Sequence, residues 1–256
     1  MTRDRDTRNG GTRSEWVELL AGDGTPLRAW TSRPDGPPPT RGLLVFQEAF
    51  GVNAHIRDVT ERFARNGYIA VSPELFHRTA PGFDARYDDF PSAMPHLQAL
   101  TEQGLDADIR AAFGWLTREG VAGNAAAVGY CVGGRAAFVA NSAVPLKAAA
   151  SYYGGNIPPL IGRAPRLSGP MMFVWGGLDH HISDEQRRAV VTGVREANKV
   201  FVDVVFSNAD HGFFCDARAS YQPEAAAQAW SLTNADRKST RLNSSHMVQS
   251  RMPSSA

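Results

Sequence analysis

The chain has 256 residues, is 43% hydrophobic and 21% charged, and carries a formal net charge of +1. These values are typical of one soluble globular domain, and a near-neutral chain without a basic stripe predicts no nucleic-acid partner. The apolar runs are strand-sized and the N-terminal residues are polar, so we expect no membrane partner, no secretion signal and a cytoplasmic location. The two cysteines, Cys131 and Cys215, form no disulfide framework, which also fits a reducing compartment.

Strand and helix patterns alternate along most of the chain. Residues 1–13 are charged and aperiodic, which predicts a disordered N-terminus, and residues 14–235 are expected to form a single domain. Short strands at 16–20 and 27–30, joined by a turn at Asp23-Gly24, predict a hairpin. The other predicted strands are at 42–46, 68–71, 125–128, 146–153, 171–175 and 200–206. The predicted helices are at 55–66, 95–118 with a possible break near Gly104, 134–140, 183–198 and 223–232. This alternation predicts an α/β fold: a mainly parallel sheet with helices on both faces and an antiparallel N-terminal edge.

Two segments depart from this pattern. Residues 73–95 are irregular and rich in aromatic and charged residues, as expected of an excursion that shapes a binding pocket. Residues 236–246 and 250–256 resemble, in the correct order, the translation of a short-read sequencing adapter. We therefore expect residues 236–256 to be an artefactual tail that replaces the natural C-terminus, the alternative being a natural disordered tail.

The segment Gly129-Tyr130-Cys131-Val132-Gly133 has the G-x-nucleophile-x-G form of a nucleophile elbow, with cysteine as the nucleophile. An apolar strand leads into it and a helical run of small residues leads out. The flanking glycines permit a strained turn and a close approach of helix and strand, and the N-terminus of the helix favours a thiolate. A cysteine between glycines is also commonly a small buried hydrophobe, so the motif needs catalytic partners.

Candidate partners follow later strands in the order that the elbow requires. Asp179 comes directly after the strand at 171–175, and His211 comes after the strand at 200–206. Asp179 is alternatively a helix cap. Asp210 is an alternative orienting acid, although an adjacent residue reaches its neighbour's imidazole with difficulty. His180 and His181 are alternative bases, but they lie beside the acid and not after the last strand.

Several separate blocks together resemble one family. Residues 47–53, 67–76, 129–134 and 211–213, within a span of roughly 16–233, resemble the dienelactone hydrolases. These are α/β-hydrolases that open cyclic enol-lactones with a Cys-His-Asp triad. The resemblance implies an α/β-hydrolase fold, with Cys131 as nucleophile, His211 as base and Asp179 as orienting acid.

The resemblance also implies roles for residues outside the triad. Glu48 is implied to hold Cys131 in a resting, protonated pose until the substrate displaces the cysteine towards the base. Arg78 matches the first of two arginines that bind the substrate carboxylate in the family. The second family arginine lies four residues after the histidine, where this chain has Cys215, and the nearest arginine is Arg218. This departure leaves the physiological substrate open, and Cys215 is either a pocket-wall residue or a redox partner.

The predicted activity is hydrolysis of a small, anionic lactone or ester through a thioester on the cysteine. The backbone N–H groups of Val132 and Ala49 are expected to form the oxyanion hole. No metal and no organic cofactor are expected, because no cluster has the spacing of a closed metal site. Three alternatives remain: a general carboxylesterase or thioesterase, a non-catalytic α/β scaffold, and a thiol redox protein that uses Cys131 and Cys215. The absence of a C-x-x-C motif disfavours the redox alternative.

Overall fold

The computed structural model describes residues 7–9 and 11–242 of the chain, with side chains from residue 11 to residue 235. Strands and helices alternate along the described residues, with short 3-10 helices at Ala122–Asn124 and Pro158–Arg166. The strands are β1 (Thr7–Asn9), β2 (Thr12–Leu20), β3 (Pro26–Pro34), β4 (Gly42–Phe46), β5 (Ile69–Pro73), β6 (Ala125–Tyr130), β7 (Ala149–Tyr152), β8 (Met171–Gly176) and β9 (Phe201–Phe206). The α-helices are α1 (Ala54–Arg65), α2 (Phe90–Ala99), α3 (Glu102–Arg118), α4 (Val132–Ala143), α5 (Asp184–Glu196) and α6 (Pro223–Leu242).

The strands form one sheet in the order β1-β2-β3-β5-β4-β6-β7-β8-β9. Pairing is antiparallel from β1 to β5 and parallel from β5 to β9. Every residue of β4 and β5 is buried, as expected of strands that helices cover on both faces. The predicted α/β fold, with its mainly parallel sheet and antiparallel N-terminal edge, is therefore confirmed.

The helices lie in two layers. The rings of Phe63 in α1 and Trp230 in α6 contact each other with centroids 4.6 Å apart, so these helices share one layer. Helix α3 packs against α4, and Arg163 in the 3-10 helix forms an ion pair with Glu102 of α3 at 3.0 Å. In residues 7–9 and 11–242, no helix has the length and apolar character that crossing a membrane requires.

The N-terminal segment was predicted to be disordered, and this prediction is wrong for part of it. Thr7–Asn9 form β1 and pair with the start of β2, which begins at Thr12. Strand pairing at a sheet edge uses backbone groups and does not require the apolar alternation on which the prediction relied. Residues 1–6 and residue 10 lie outside the described residues.

The helical region predicted at 95–118 is broken, as its possible break near Gly104 allowed. The break lies at residues 100–101, because Thr101 accepts a hydrogen bond from the Gly104 N–H at 3.0 Å and so caps a new helix, α3. Helix α2 begins at Phe90, inside the segment predicted to be irregular, and Asp89 caps its N-terminus.

The C-terminal tail is helical where it is described. The disordered alternative is wrong for residues 236–242, which continue α6 to Leu242. These residues include neither glycine nor proline, so no residue in this stretch is a strong helix breaker. Residues 243–256 lie outside the described residues, and the origin of the tail from an adapter stays a prediction.

Candidate active site

Cys131 occupies the sharp turn between β6 and α4. Its backbone has φ 56° and ψ −119°, a region that costs free energy for any residue other than glycine. Two hydrogen bonds hold this conformation: the Cys131 N–H donates to the Tyr152 carbonyl at 3.0 Å, and the Gly134 N–H donates to the Cys131 carbonyl at 2.9 Å. The strained turn directs the thiol side chain away from the sheet, at the carboxyl end of β6.

The glycines around the turn are required by close packing. A Cβ on Gly129 would overlap the Gly133 carbonyl, and a Cβ on Gly133 would lie 2.6 Å from the Phe46 carbonyl carbon and nearer still to its oxygen. A Cβ on Gly134 would lie 2.7 Å from the Gly154 Cα. Distances below 3.0 Å are essentially never observed for a real Cβ. The glycines therefore let the N-terminus of α4 pack directly against the end of β4.

Asp179 and His211 form a buried hydrogen-bonded pair. His211 Nδ1 lies 2.8 Å from Asp179 Oδ2, and the two side chains are 9% and 2% exposed. The other oxygen of Asp179 accepts the backbone N–H groups of His181 and Ile182, at 2.7 and 3.1 Å. Burial raises the pKa of Asp179, but the bonds from His211 and from the two backbone N–H groups hold it below its usual 3.8. Asp179 is therefore held as a carboxylate by hydrogen bonds to both of its oxygens.

The imidazole of His211 faces the cysteine sulfur on its other side. Both Cys131 and His211 line one cavity. Burial lowers the pKa of His211, but attraction to Cys131 and the hydrogen bond with Asp179 outweigh it and raise the pKa to about 10. A raised pKa favours the protonated imidazolium, the form that results when such a ring accepts a proton from a thiol.

The alternative partners lie nearby but do not replace this pair. The Asp210 carboxylate accepts the backbone N–H of His211 at 2.6 Å, so it caps the loop and does not orient the ring. His181 lines the cavity with its ring centroid 5.0 Å from that of His211, and His180 is exposed. Neither of these two histidines forms a side-chain hydrogen bond to a carboxylate within residues 11–235.

The cavity at the cysteine has a volume of about 520 Å³, which suits a small molecule. Ala49 and Val132, the expected oxyanion-hole residues, both line it. One wall is apolar and comes largely from α2. The remaining lining residues are Phe50, Tyr87, Phe90, Met94, Leu97, Gln98, Arg135, Gly155, Asn156, Ile182, Gln186 and Arg218.

Glu48 and Arg218 form an ion pair beside this cavity. Arg218 Nη1 donates to Glu48 Oε1 at 3.1 Å, while Glu48 Oε2 is buried without a hydrogen-bond partner among the described residues. The Glu48 side chain is 0% exposed. The guanidinium of Arg218 lies over the ring of Phe50, 5.5 Å from its centroid, and lines the cavity.

Arg78 does not line this cavity, so its predicted contact with the substrate stays a prediction. Its guanidinium donates to Asp23 Oδ2 at 2.7 Å and to Asp108 Oδ2 at 2.9 Å. Charge-assisted bonds of this length are strong, so these two carboxylates hold the guanidinium in this position. The sequence motif places Arg78 correctly along the chain but does not reveal the acids that bind it.

Arg135 is the cavity residue that the sequence analysis missed. It lies on α4, four residues after Cys131, and lines the cavity. The i, i+4 spacing is the available signal, since residues four apart share one face of a helix.

One group among residues 11–235 has donor atoms close enough to hold a metal. The donor atoms of His55, Cys215 and Asp216 lie within 4.8 Å of one another. Burial raises the pKa of Cys215 to about 11, so its thiol is protonated near neutral pH. Asp216 is exposed and lies 3.6 Å from the guanidinium of Arg62, which further disfavours a cation. We assign no metal to this group.

The sheet topology, the strained cysteine turn and the Asp–His pair on later loops together define an α/β-hydrolase. A sequence model of the dienelactone hydrolase family matches residues 27–235. The chain therefore belongs to the dienelactone hydrolase family. It is a carboxylic ester hydrolase that acts on small ester or lactone substrates.

Individual relatives agree with this assignment. The chain is 36% identical over 205 residues to a "Putative carboxymethylenebutenolidase" of Synechocystis sp., covering 73% of this chain and 81% of the relative. It is 33% identical over 225 residues to a protein of the same name from Escherichia coli K12, covering 82% of each. The crystal structure of a "Putative Dienelactone Hydrolase" from Klebsiella pneumoniae superposes with a TM-score of 0.79 at 30% identity, covering 88% of this chain and 98% of that one.

Proposed function

We propose that the protein hydrolyses a dienelactone-type lactone or a related ester, with Cys131 as nucleophile, His211 as general base and acid, and Asp179 as orienting acid. The observation that carries this proposal is the position of His211. Its imidazole bonds to a buried carboxylate at 2.8 Å and shares a cavity with a thiol held on a strained turn.

In the first step the Cys131 thiol gives its proton to His211, and the sulfur attacks the substrate carbonyl. The C–O bond of the ester or lactone breaks, His211 returns the proton to the leaving oxygen, and a thioester remains. Water then attacks the thioester while His211 accepts a proton from it. The acid departs and Cys131 recovers its thiol.

The tetrahedral intermediates of both steps need hydrogen-bond donors for their oxyanion. We assign this task to the backbone N–H groups of Val132 and Ala49. Gly133 supports the assignment, because its close approach to Phe46 packs the first turn of α4 against the end of β4, just before the Ala49 loop.

We assign Glu48 a gating role. Its buried carboxylate is bound by Arg218 through one oxygen only, and its other oxygen has no partner among the described residues. On entering the cavity, the substrate would displace Glu48 from Arg218 and so end the restraint that the family resemblance implies for Cys131. Glu48→Gln removes the carboxylate that is proposed to hold Cys131 in its resting pose. Alkylation of Cys131 by iodoacetamide should then be faster than in wild type.

The substrate is expected to be anionic, because guanidinium groups are the strongest cationic element of the cavity lining. A general carboxylesterase or thioesterase is the second candidate function. The position of Arg78 favours it, since one of the two arginines implied for dienelactone binding faces Asp23 and Asp108 instead.

The test is turnover of cis-dienelactone and of p-nitrophenyl acetate by the full chain, with Cys131→Ala as the control variant. Lactone turnover well above ester turnover, absent in the variant, supports the dienelactone-type function. Ester turnover alone, lost in the variant, supports the broader esterase. A protein of native circular dichroism that turns over neither substrate contradicts both, and leaves the non-catalytic scaffold.

The thioester is tested separately by mass spectrometry of the acid-quenched enzyme. We expect an acyl adduct on the peptide that contains Cys131. A disulfide between Cys131 and Cys215 in the same experiment would instead support the redox alternative.

A further inference from the structure

Arg135 connects the catalytic cavity with a smaller cleft behind it. The cleft has a volume of about 330 Å³ and includes residues of α3 and of the 3-10 helix at Pro158–Arg166. Arg135 and Asn156 line both spaces. Arg135 is four residues after Cys131, and four helical residues rise about 6 Å. One small molecule can therefore span the distance between a group bound by Arg135 and a carbonyl at Cys131.

The charge of Arg135 has no counterion in the described chain. Its guanidinium takes part in no ion pair there, and its Nε is buried without a hydrogen-bond partner. It interacts electrostatically with Cys131 and, to a smaller extent, with Glu102, and Glu102 is bound by Arg163 at 3.0 Å. Burial lowers the pKa of Arg135, which shows that the site penalises this isolated charge.

Other buried or half-buried arginines around the cavity are paired. Arg218 is bound to Glu48, Arg163 to two carboxylates of α3, and Arg78 to Asp23 and Asp108. A buried donor without a partner costs free energy, and a carboxylate that accepts two parallel bonds from a guanidinium removes that cost. Within the described residues, Arg135 is therefore the cation of this cavity that is available to an anionic ligand without breaking an existing ion pair.

We propose that Arg135 binds the carboxylate of the substrate, and so selects small esters or lactones that carry an anionic group a few bonds from the scissile carbonyl. This inference rests on the proposed function, which supplies Cys131 as the reaction centre. Arg135, on α4, would thus bind the substrate carboxylate that the family resemblance expected Arg78 to bind.

The opposite wall defines the rest of the ligand. Phe90, Met94 and Leu97 of α2 and Phe50 give it an apolar surface. An apolar wall in a cavity that also holds an unpaired guanidinium fits an amphipathic molecule: a short hydrocarbon body that ends in a carboxylate. An ester with a long neutral acyl chain carries no anionic group to pair with the Arg135 guanidinium, so we expect it to be a poorer substrate.

The test compares two chromogenic esters that differ in one charge. Mono-4-nitrophenyl glutarate carries a carboxylate on its acyl chain, and 4-nitrophenyl butanoate is neutral with the same leaving group. The measured quantity is the ratio of kcat/KM for the anionic ester to kcat/KM for the neutral ester. The variants are Arg135→Gln, Arg135→Lys and the control Arg110→Gln, which removes the same charge from an exposed position on α3.

Arg135→Gln is expected to lower the ratio roughly 10- to 100-fold, the range for a charge-assisted hydrogen-bond pair. Arg135→Lys keeps the charge without the paired donors and is expected to lie between wild type and Arg135→Gln. Arg110→Gln should leave the ratio within about twofold of wild type, because exposed charges are screened. An unchanged ratio in Arg135→Gln overturns the inference, whether both rates fall together or neither does.

Binding of glutarate separates this inference from the proposed function. If wild type hydrolyses neither ester, the proposed function fails, and calorimetric titration with glutarate decides the inference alone. Saturable binding that is lost in Arg135→Gln and kept in Arg110→Gln supports the anion site. Absence of binding to wild type, or equal binding to wild type and Arg135→Gln, overturns it.

Discussion

Gly133→Ala tests whether the packing of α4 on the end of β4 sets the geometry of the active site. Helix propensity alone predicts a gain, since alanine is favoured over glycine within a helix by about 1 kcal/mol. Packing predicts the opposite. The added Cβ would lie 2.6 Å from the Phe46 carbonyl carbon, whereas ordinary contact begins at 3.4 Å, so the two elements must separate by about 0.8 Å.

Overpacking of this kind typically costs about 1–3 kcal/mol, and here the atoms that must move are backbone atoms. With a cost of about 3 kcal/mol and a propensity gain of about 1 kcal/mol, the net loss is about 2 kcal/mol, which corresponds to a fall in Tm of roughly 4–8 °C for a chain of this size. The displaced loop carries Ala49, and a misplacement approaching 1 Å in a catalytic constellation costs up to about 100-fold in rate. We therefore expect kcat/KM for p-nitrophenyl acetate to fall roughly 10- to 100-fold.

The matched control is Gly155→Ala, at a cavity-lining glycine whose added Cβ would meet no atom within 4 Å. Its Tm and kcat/KM should stay near those of wild type. The packing argument is refuted if Gly133→Ala keeps wild-type activity and is equally or more stable, because propensity would then outweigh the contact with Phe46.

Three further predictions concern single side chains. Asp179→Asn should lower kcat by about 10³- to 10⁴-fold, because the amide offers a donor where the carboxylate accepts from His211; steady-state kinetics check this, and a loss below tenfold would contradict it. The folded-state pKa of His211 is raised to about 10 from 6.5, so its contribution to the free energy of unfolding is complete below pH 6.5 and is lost as the pH rises through about 10. In urea unfolding, the stability difference between wild type and His211→Gln should narrow over that range, and a constant difference would oppose the assignment. Arg163→Met should lower Tm by roughly 3–6 °C, since this guanidinium is 10% exposed and binds Asp106 through both terminal nitrogens, whereas the exposed Arg188→Met should change Tm little.

The sheet and the order of the site residues are predictable because local patterns determine them. Continuous apolar runs identify the parallel strands, and loops that follow such strands meet at one edge of the sheet. Cys131, Asp179 and His211 each follow a predicted strand, so their convergence follows from the topology. Their hydrogen-bond geometry depends on burial and loop conformation, which the sequence does not specify.

The arginines show where sequence reasoning fails. Arg78 has the expected place along the chain, but Asp23, 55 residues earlier, binds its guanidinium. Arg135 resembles a solvated residue on a surface helix, and its lack of a counterion becomes visible only when the surrounding acids are placed in space. Long side chains choose among partners brought together by the fold, and no local pattern encodes that choice.

Strand β9 gives the two halves of the site unequal local stability. Cys131 follows β6, a central strand flanked on both sides, whereas His211 follows β9, which lies at the end of the sheet and pairs with β8. Val202 and Val205 of β9 are 51% and 42% exposed. Strands with few buried contacts open more often than central ones, with smaller free energies. Partial opening at this edge would therefore separate His211 from Cys131. We expect heat inactivation of the enzyme to precede cooperative unfolding, and amide protons of β9 to exchange before those of β6.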